Sequence, residues 1–391
     1  MRNTLFCPFA LAMLLALSSA PGNVCAAERF LVGPGGAPLS LQQAVLAARD
    51  GDTIELLPGE YTSGQHLVIE NRQLTFRGVG KRPVVHGSAK VGEARALWTV
   101  RGGRVTIENI EFRGARASDT DGAGVRQEGG KLTLIGCSFY DNEHGIVALN
   151  DPAAEIEIQR SLFGQAPKVE GGLHHLLSVG RIGKLTVTGS RFQQGFEGHM
   201  IKSRARESLI AYNFIHDGQR GGASYEIDLP AGGLVTVVGN VIGQGADSQN
   251  RVMVAYGSEG STWDINKLHL AHNTFINYKA TLAWTLRVWK DRLPADTEVV
   301  AVNNLLVGPG VFWLGAPGRF EGNRPATLGM LRDADTYAFE LPPDSIWRHS
   351  GIDPRNVGGR NLAPQAEFDW PEGVRPVSSQ RSTWAPGAFQ R

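Results

Sequence analysis

One short pattern occurs eight times between residues 105 and 306, and it restricts the chain to very few architectures. It reads apolar–x–apolar–x–x–small–x–large apolar. Val105, Ile107, Ile110 and Phe112 fill its four defining positions in the first copy. Leu132, Leu134, Cys137 and Phe139 fill the second, Ile156, Ile158, Ser161 and Phe163 the third, and Leu185, Val187, Ser190 and Phe192 the fourth. The last four copies carry asparagine at the small position, in the pairs Asn213/Ile215, Asn240/Ile242, Asn273/Phe275 and Asn304/Leu306. The final positions are spaced by 27, 24, 29, 23, 27, 33 and 31 residues. A period of this length, built from alternating strand pieces, is the signature of a solenoid. No single unit can bury its own apolar face, so the units must stack and share a core. The expected fold is therefore all-β, with the asparagines stacked as an internal ladder that satisfies turn backbones.

The rest of the chain fits around that repeat. Arg2, the apolar run Leu5 to Ala20 and the small residues Val24 to Ala27 read as a secretory signal over residues 1–27. Cleavage would leave Cys137 as the one cysteine, in the small-residue column, where burial is expected. No later apolar run is long enough to span a bilayer, so a secreted or periplasmic protein without stable membrane insertion is expected. A formal net charge of +1 gives no reason to expect nucleic acid as a partner. Residues 28–315 are assigned to the solenoid. A short helix from Leu39 to Arg49, with Leu41, Ala44, Val45 and Ala48 on one face, is expected to cap its open end. Residues 316–391 have no period. Trp347, Trp370, Trp384 and Phe389 give this irregular tail enough apolar surface to pack along or cap the solenoid. A monomer is expected.

Each coil should return through a third short strand. Aligned by alternation, these are Leu176–Val179, Met200–Ser203, Glu226–Leu229 and Arg251–Val254. Leu177, Ile201, Ile227 and Val252 then point inward, and the residues between them outward. One outward row is Ser178, Lys202, Asp228 and Met253; the next is Leu176, Met200, Glu226 and Arg251. Neighbours on a row would be about 4.8 Å apart along the backbone. Such stacking gathers a charged strip from four coils: His174, His175 and Arg181; Glu197, His199, Lys202, Arg204 and Arg206; Tyr225, Glu226 and Asp228; and Arg251.

The start of the first coil, Gly51 to Tyr61 (GDTIELLPGEY), the coil repeat, and the closing Trp384 to Arg391 (WAPGAFQR) resemble right-handed parallel β-helix proteins of the pectate-lyase superfamily. The resemblance covers nearly the whole mature chain and implies that fold. It leaves the reaction open, because this fold carries many activities.

A charged strip of this kind suits an acidic sugar polymer, since arginine offers a uronate carboxylate a bidentate partner. Breaking such a polymer by β-elimination needs a base at the carbon beside the carboxylate, a group that neutralises the carboxylate, and a proton donor for the departing oxygen. Lys202 is the expected base. Arg204, Arg206, Asp228 and Glu226 are the other candidate catalytic groups, and His199, His175, Tyr225, Arg251 and Arg181 the candidate substrate contacts. Glu197, Lys202 and Ser203, followed by Asn213, resemble the catalytic coil of polysaccharide lyase family six, which includes chondroitinase B and several alginate lyases. That resemblance implies a base at Lys202 and a calcium ligand at Glu197. It departs from the family where an arginine belongs on the next coil, which reads Tyr225 to Pro230 (YEIDLP), and where a second acidic ligand would fall near Gly195. No nucleotide or organic cofactor motif stands out.

Other readings remain open at this level. Glu226 and Asp228, about 6.6 Å apart on one strand face, fit the carboxylate pair of a glycoside hydrolase. Residues 227–230 faintly echo the Asp-Pro-His-Asp segment of β-helix uronan epimerases. A non-catalytic glycan-binding scaffold could use Tyr256, Trp263, Trp284, Trp289 and Trp313 to stack on sugars.

Overall fold

The structure is a computed structural model that describes residues 26–63, 66–87, 95–169, 171–314, 318–357, 361–378 and 380–391. The expected signal segment lies outside these residues except for its last two positions. The chain winds through three parallel sheets of twelve, eleven and ten strands, visited in that order on each coil from Thr53 onward. This is the expected right-handed parallel β-helix. Among the described residues no helix is long and apolar enough to cross a membrane.

Each copy of the sequence pattern supplies one strand of the twelve-stranded sheet and one of the eleven-stranded sheet, as in Arg104–Glu108 followed by Glu111–Arg113. The residue just before each small position makes the corner in the left-handed region. These residues are Asn109, Gly136, Arg160, Gly189, Tyr212, Gly239, His272 and Asn303, with φ of 54, 62, 47, 57, 57, 67, 52 and 54°. Three of the eight, Arg160, Tyr212 and His272, are neither glycine nor asparagine at a site that disfavours most side chains. The cost is met by the asparagines that follow in the later copies, whose side chains bind the preceding coil's backbone, as Asn213 Nδ2 donates to the Val187 carbonyl at 2.9 Å, and also bind one another. Asn213 Nδ2 donates to Asn240 Oδ1 at 2.9 Å, Asn240 to Asn273 at 3.0 Å, and Asn273 to Asn304 at 3.0 Å. Asn323, outside the sequence pattern, adds a last rung at 2.8 Å. Cys137 sits in this column, buried as expected, and burial pushes its thiol up to about 11.

Inside, the large apolar column forms a continuous stack. Phe112, Phe139, Phe163 and Phe192 follow one another at ring-centroid distances of 5.3, 4.8 and 4.5 Å. The capping helix runs from Leu41 to Ala47, with a capping box in which Ser40 accepts from the Gln43 amide and the Gln43 side chain accepts from Ser40. Its Ala44 is buried in the main core.

Parallel pairing continues past residue 315, since Arg319–Glu321 and Arg324–Ala326 add a strand to each of the first two sheets. The chain then runs back over the outside. Phe339, Leu341, Phe368 and Phe389 bury outward-facing Phe214, Val241 and Ile276 of the eleven-stranded sheet. Tyr212 Oη accepts the Gln365 amide at 2.9 Å, and the Ala385 carbonyl lies 3.1 Å from His272 Nδ1. Among the described residues, no hydrogen bond or ion pair joins the segment from 328 onward to the ten-stranded sheet. That sheet keeps its outer face, which is where the charged strip lies.

Candidate functional site

The ten-stranded sheet carries Leu177–Val179, Ile201–Ser203, Ile227–Leu229, Val252–Tyr256 and Ala283–Val288 as neighbours. Its register pairs Ser178 with Lys202, Lys202 with Asp228, Asp228 with Ala255, and Ala255 with Arg287. The inward residues Leu177, Ile201, Ile227 and Val254 are fully buried, so the row between them points out. Lys202 and Asp228 are thus on adjacent coils, as the sequence suggested.

The fourth coil differs by two residues from the expected alignment. Ile227 pairs with Val254 and Asp228 with Ala255, not with Val252 and Met253. A two-residue slip preserves which face a residue occupies but changes its neighbours. Arg251 therefore falls four residues upstream of the Asp228 partner, exposed, with Lys279 in its electrostatic neighbourhood. It does not join the strip. The residue that does is Arg287, exposed on the Lys202 row with its guanidinium 4.3 Å from the Trp289 ring centre. The sequence held the signal for it: Leu286 and Val288 alternate with Arg287, and continuing the strand alignment one coil further would have exposed it.

The second expected outward row is a correction. Leu176, Met200 and Glu226 are all buried, Glu226 with 0% exposure, and so is Met253, which was expected on the Lys202 row and which the register places beside Glu226. Leu176, Met200 and Glu226 precede the strands proper, at the corner where strict alternation does not yet hold. The same position in an earlier coil is Gly145, and a Cβ there would lie 3.0 Å from the Phe163 ring. The row faces the phenylalanine stack. Both carboxylate oxygens of Glu226 are sealed without a hydrogen-bond partner among the described residues. Burial, then the nearby Asp217, raises its pKa well above the usual carboxylate range. Glu226 therefore cannot touch a polymer, and the carboxylate pair of a hydrolase is lost with it.

Asp228 is different. It is 3% exposed, and its Oδ2 lies 3.4 Å from His199 Nε2 and 3.8 Å from Lys202 Nζ. Its Oδ1 is buried without a hydrogen-bond partner among the described residues. Burial pushes the carboxyl up to about 6, against the pull of Lys202 and Arg204. Lys202 itself is half-buried, with 17% of its side chain exposed.

Behind this pair stands a ladder of rings at the corner leading into the sheet. His175 and His199 stack at 4.7 Å, and His199 and Tyr225 at 4.8 Å. Each imidazole accepts on Nδ1 the backbone N–H of the next rung: His175 N–H to His144 at 3.1 Å, His199 N–H to His175 at 2.9 Å, and Tyr225 N–H to His199 at 3.3 Å. An Nδ1 that accepts must be bare, so the ring proton sits on Nε2, on the outward side. Burial, followed by like charge, reinforces the neutral form. It lowers His199 to about 3 and pushes His175 well below its usual value. The Nε2 of His144 points at Asp121 Oδ1, 3.2 Å away.

The remaining candidates scatter around this centre. Arg204 makes a two-pronged pair with Glu259, at 2.7 and 2.5 Å, and Trp263 Nε1 donates to the Arg204 carbonyl. Residues 257–263 thus bound the strip on one side; Glu259 sits in this loop, where no repeat marked it. Arg181 and Arg206 are exposed at the strand ends. Glu197 is not beside Lys202. It lines a cavity of about 700 Å³ at the preceding corner, with Phe196, Asp217 and Gln249. One Glu197 oxygen accepts the Gly171 amide at 2.8 Å and the other accepts Gln249 Nε2 at 3.1 Å. The Asp217 oxygens hold the amides of Gly195 and Ala223. These oxygens are committed to the loops, and among the described residues no three His, Cys, Asp or Glu side chains are grouped to hold a metal ion. The residues around Glu197 do not fit the calcium ion that the family resemblance implied.

No protein-family model matches the sequence, and no curated protein matches it. Among solved structures, the fold is similar to that of the pectate lyase Pel9A, with a TM-score of 0.68 and 14% identity over 94% of this chain and 97% of that one. A pectin methylesterase in complex with a hexasaccharide aligns at a TM-score of 0.34, with 10% identity over 74% of this chain and 82% of that one. The pectin methylesterase PemA from Erwinia chrysanthemi aligns at 0.33, with 9% identity over 73% and 80%. At these identities the likeness to Pel9A establishes the parallel β-helix and nothing finer.

Proposed function

We propose that this chain is an extracytoplasmic lyase that cleaves an acidic, uronate-containing polysaccharide by β-elimination. The observation that carries the reading is Lys202, half-buried beside Asp228 on an outer face that the tail leaves open. Lys202 takes the proton from C5 of a bound uronate. The electron pair forms the C4–C5 double bond as the bond from C4 to the glycosidic oxygen breaks, and Asp228 gives its proton to that departing oxygen. Lys202 is left holding the C5 proton and Asp228 without its own, and exchange of one proton with solvent at each group restores both. No proton is gained or lost over the cycle. A carboxyl raised to about 6 is suited to the donor role.

Arg287 supplies positive charge further along the row, toward the polymer's other carboxylates. Arg204 contributes less, because Glu259 already neutralises it. Arg181 and Arg206, exposed at the rim, act on encounter through long-range attraction. No step here is assigned to calcium, given the donor set around Glu197.

Pectate, the polymer named for the fold's neighbour Pel9A, is the first substrate to try, with alginate and glycosaminoglycans beside it. Unsaturated product, read by ultraviolet absorbance, should appear together with new reducing ends. Reducing ends without absorbance would indicate hydrolysis and sink the proposal. Lys202→Ala should lower the rate roughly 10²- to 10⁴-fold, the usual worth of a positioned base, without changing the melting temperature. A variant of undiminished activity would remove Lys202 from the mechanism.

A further inference from the structure

The three rungs His175, His199 and Tyr225 each stand three residues before a row position, respectively Ser178, Lys202 and Asp228. Moving one coil along the solenoid therefore carries one rung and its surroundings onto the next. His199 presents its Nε2 to the row residue of the following coil, Asp228, an acceptor. The same displacement applied to His175 brings its Nε2–H toward Lys202, which has no acceptor to offer. Among the described residues no hydrogen bond is made by His175 Nε2, and that atom is not sealed as both ring nitrogens of His174 are. The neighbouring rungs, His144 and His199, each have a carboxylate within 3.4 Å of Nε2. His175 alone combines a proton held outward by its backbone bond with a cationic neighbour and no protein carboxylate.

Building on the lyase reading, we propose that His175 Nε2–H binds a carboxylate oxygen of the uronate whose C5 proton faces Lys202. That bond puts substrate anion where the adjacent rungs have protein anion. It also supplies a neutral donor to the carboxylate that must take up charge as the C5 proton leaves, the part that neither a calcium ion nor an arginine on the next coil fills here. A neutral imidazole suits this site because its second nitrogen is already engaged, so the donor is fixed in direction before substrate arrives.

Two substitutions separate the inner and outer roles of the ring. In His175→Asn the amide oxygen takes the place of Nδ1 and can still accept the His199 N–H, but nothing replaces Nε2–H. In His175→Gln the amide nitrogen reaches the Nε2 position and restores a donor. Wild type and both variants are titrated calorimetrically with trimers of galacturonate, guluronate and mannuronate, and with the carboxyl-reduced forms of the same trimers. Ultraviolet absorbance is followed in the same samples; where it rises, KM replaces Kd. Wild type should bind at least one uronate trimer, His175→Asn should bind it roughly ten- to a hundredfold more weakly, and His175→Gln should fall between them. The carboxyl-reduced trimer should bind equally to all three. The inference is overturned if His175→Asn matches wild type, if it loses the reduced trimer equally, or if wild type binds no uronate trimer. Uronate binding that depends on His175 with no rise in absorbance would remove the elimination reaction and leave the carboxylate site. A rise in absorbance with an unaltered KM in His175→Asn would do the reverse.

Discussion

The asparagine column and the histidine column are built the same way, with one side chain per coil stacked along the axis, yet their chemistry differs. Each asparagine amide both gives and takes within the column, and the backbone absorbs what is left: Asn240 Nδ2 also donates to the Ile210 carbonyl at 2.8 Å, and Asn240 Oδ1 also accepts the Asn213 N–H at 2.9 Å. Nothing remains for an outside molecule. A histidine rung uses one nitrogen on the next coil's backbone and turns the other outward. A closed ladder can only hold the fold, whereas a ladder that turns one nitrogen per rung outward can hold the fold and, at a rung with no protein acceptor, meet a ligand. Stacking alone therefore does not distinguish structure from function in a solenoid; counting the unused donors and acceptors does.

The contrast is most easily broken at the closed ladder. Asn240→Ala should cost at least about 3 kcal/mol, because several buried amide groups lose partners at about 1–3 kcal/mol each. Urea titration measures this, and a loss under 1 kcal/mol would mean that the column is dispensable. His175→Asn, which keeps its inner bond, should be far milder in the same titration.

A smaller effect, of opposite sign, is expected at Glu226, the one acid in an otherwise apolar row. Its pKa is raised well above the ordinary 4.5, so the folded chain holds a proton that the unfolded chain releases. Its contribution to stability is thus undiminished below about pH 4.5 and is lost as the pH climbs toward the folded value. Glu226→Met, matching its neighbours Met200 and Met253, should be more stable than wild type by roughly 1–3 kcal/mol near pH 8. The gain should shrink as the pH falls to 4.5. Asp217 and Asp228, both raised to about 6, bend both proteins' curves alike between their ordinary 3.8 and 6, so only the difference between the two proteins isolates Glu226. A gain independent of pH would show that the side chain is not buried as an acid. The smallest effect belongs to Arg204 and Glu259. A double-mutant cycle there should give under about 1 kcal/mol, fading with salt, since both side chains are partly exposed.

Much of the fold was legible because the pattern repeats in both composition and spacing. The eight corners, the asparagine rungs and the phenylalanine stack follow from it directly. The site was legible only in part. Lys202 and Asp228 came together because the coil between them needed no gap in the strand alignment. The strand after them follows a loop of different length, and alternation cannot distinguish a two-residue slip, so Arg251 stood in for Arg287. Glu226 was misplaced for a different reason: a strand three residues long has no room for alternation to extend beyond its ends. Glu259 was invisible because its partner, Arg204, lies 55 residues away in the sequence.

In a bare solenoid each coil touches only the coils beside it, so an end can fray without disturbing the middle. The returning tail removes that independence. Gln365 meets Tyr212 across 153 residues, and Glu372 lies 3.6 Å from Arg82, near the other end of the chain. The residues that close the apolar outer face of Phe214, Val241 and Ile276 thus follow the coils in the chain. A chain stopped short of them would carry a complete run of coils and an uncovered hydrophobic flank, an invitation to aggregate. The tail works as a latch: the sheet is hidden only once the segment that follows the coils has been made.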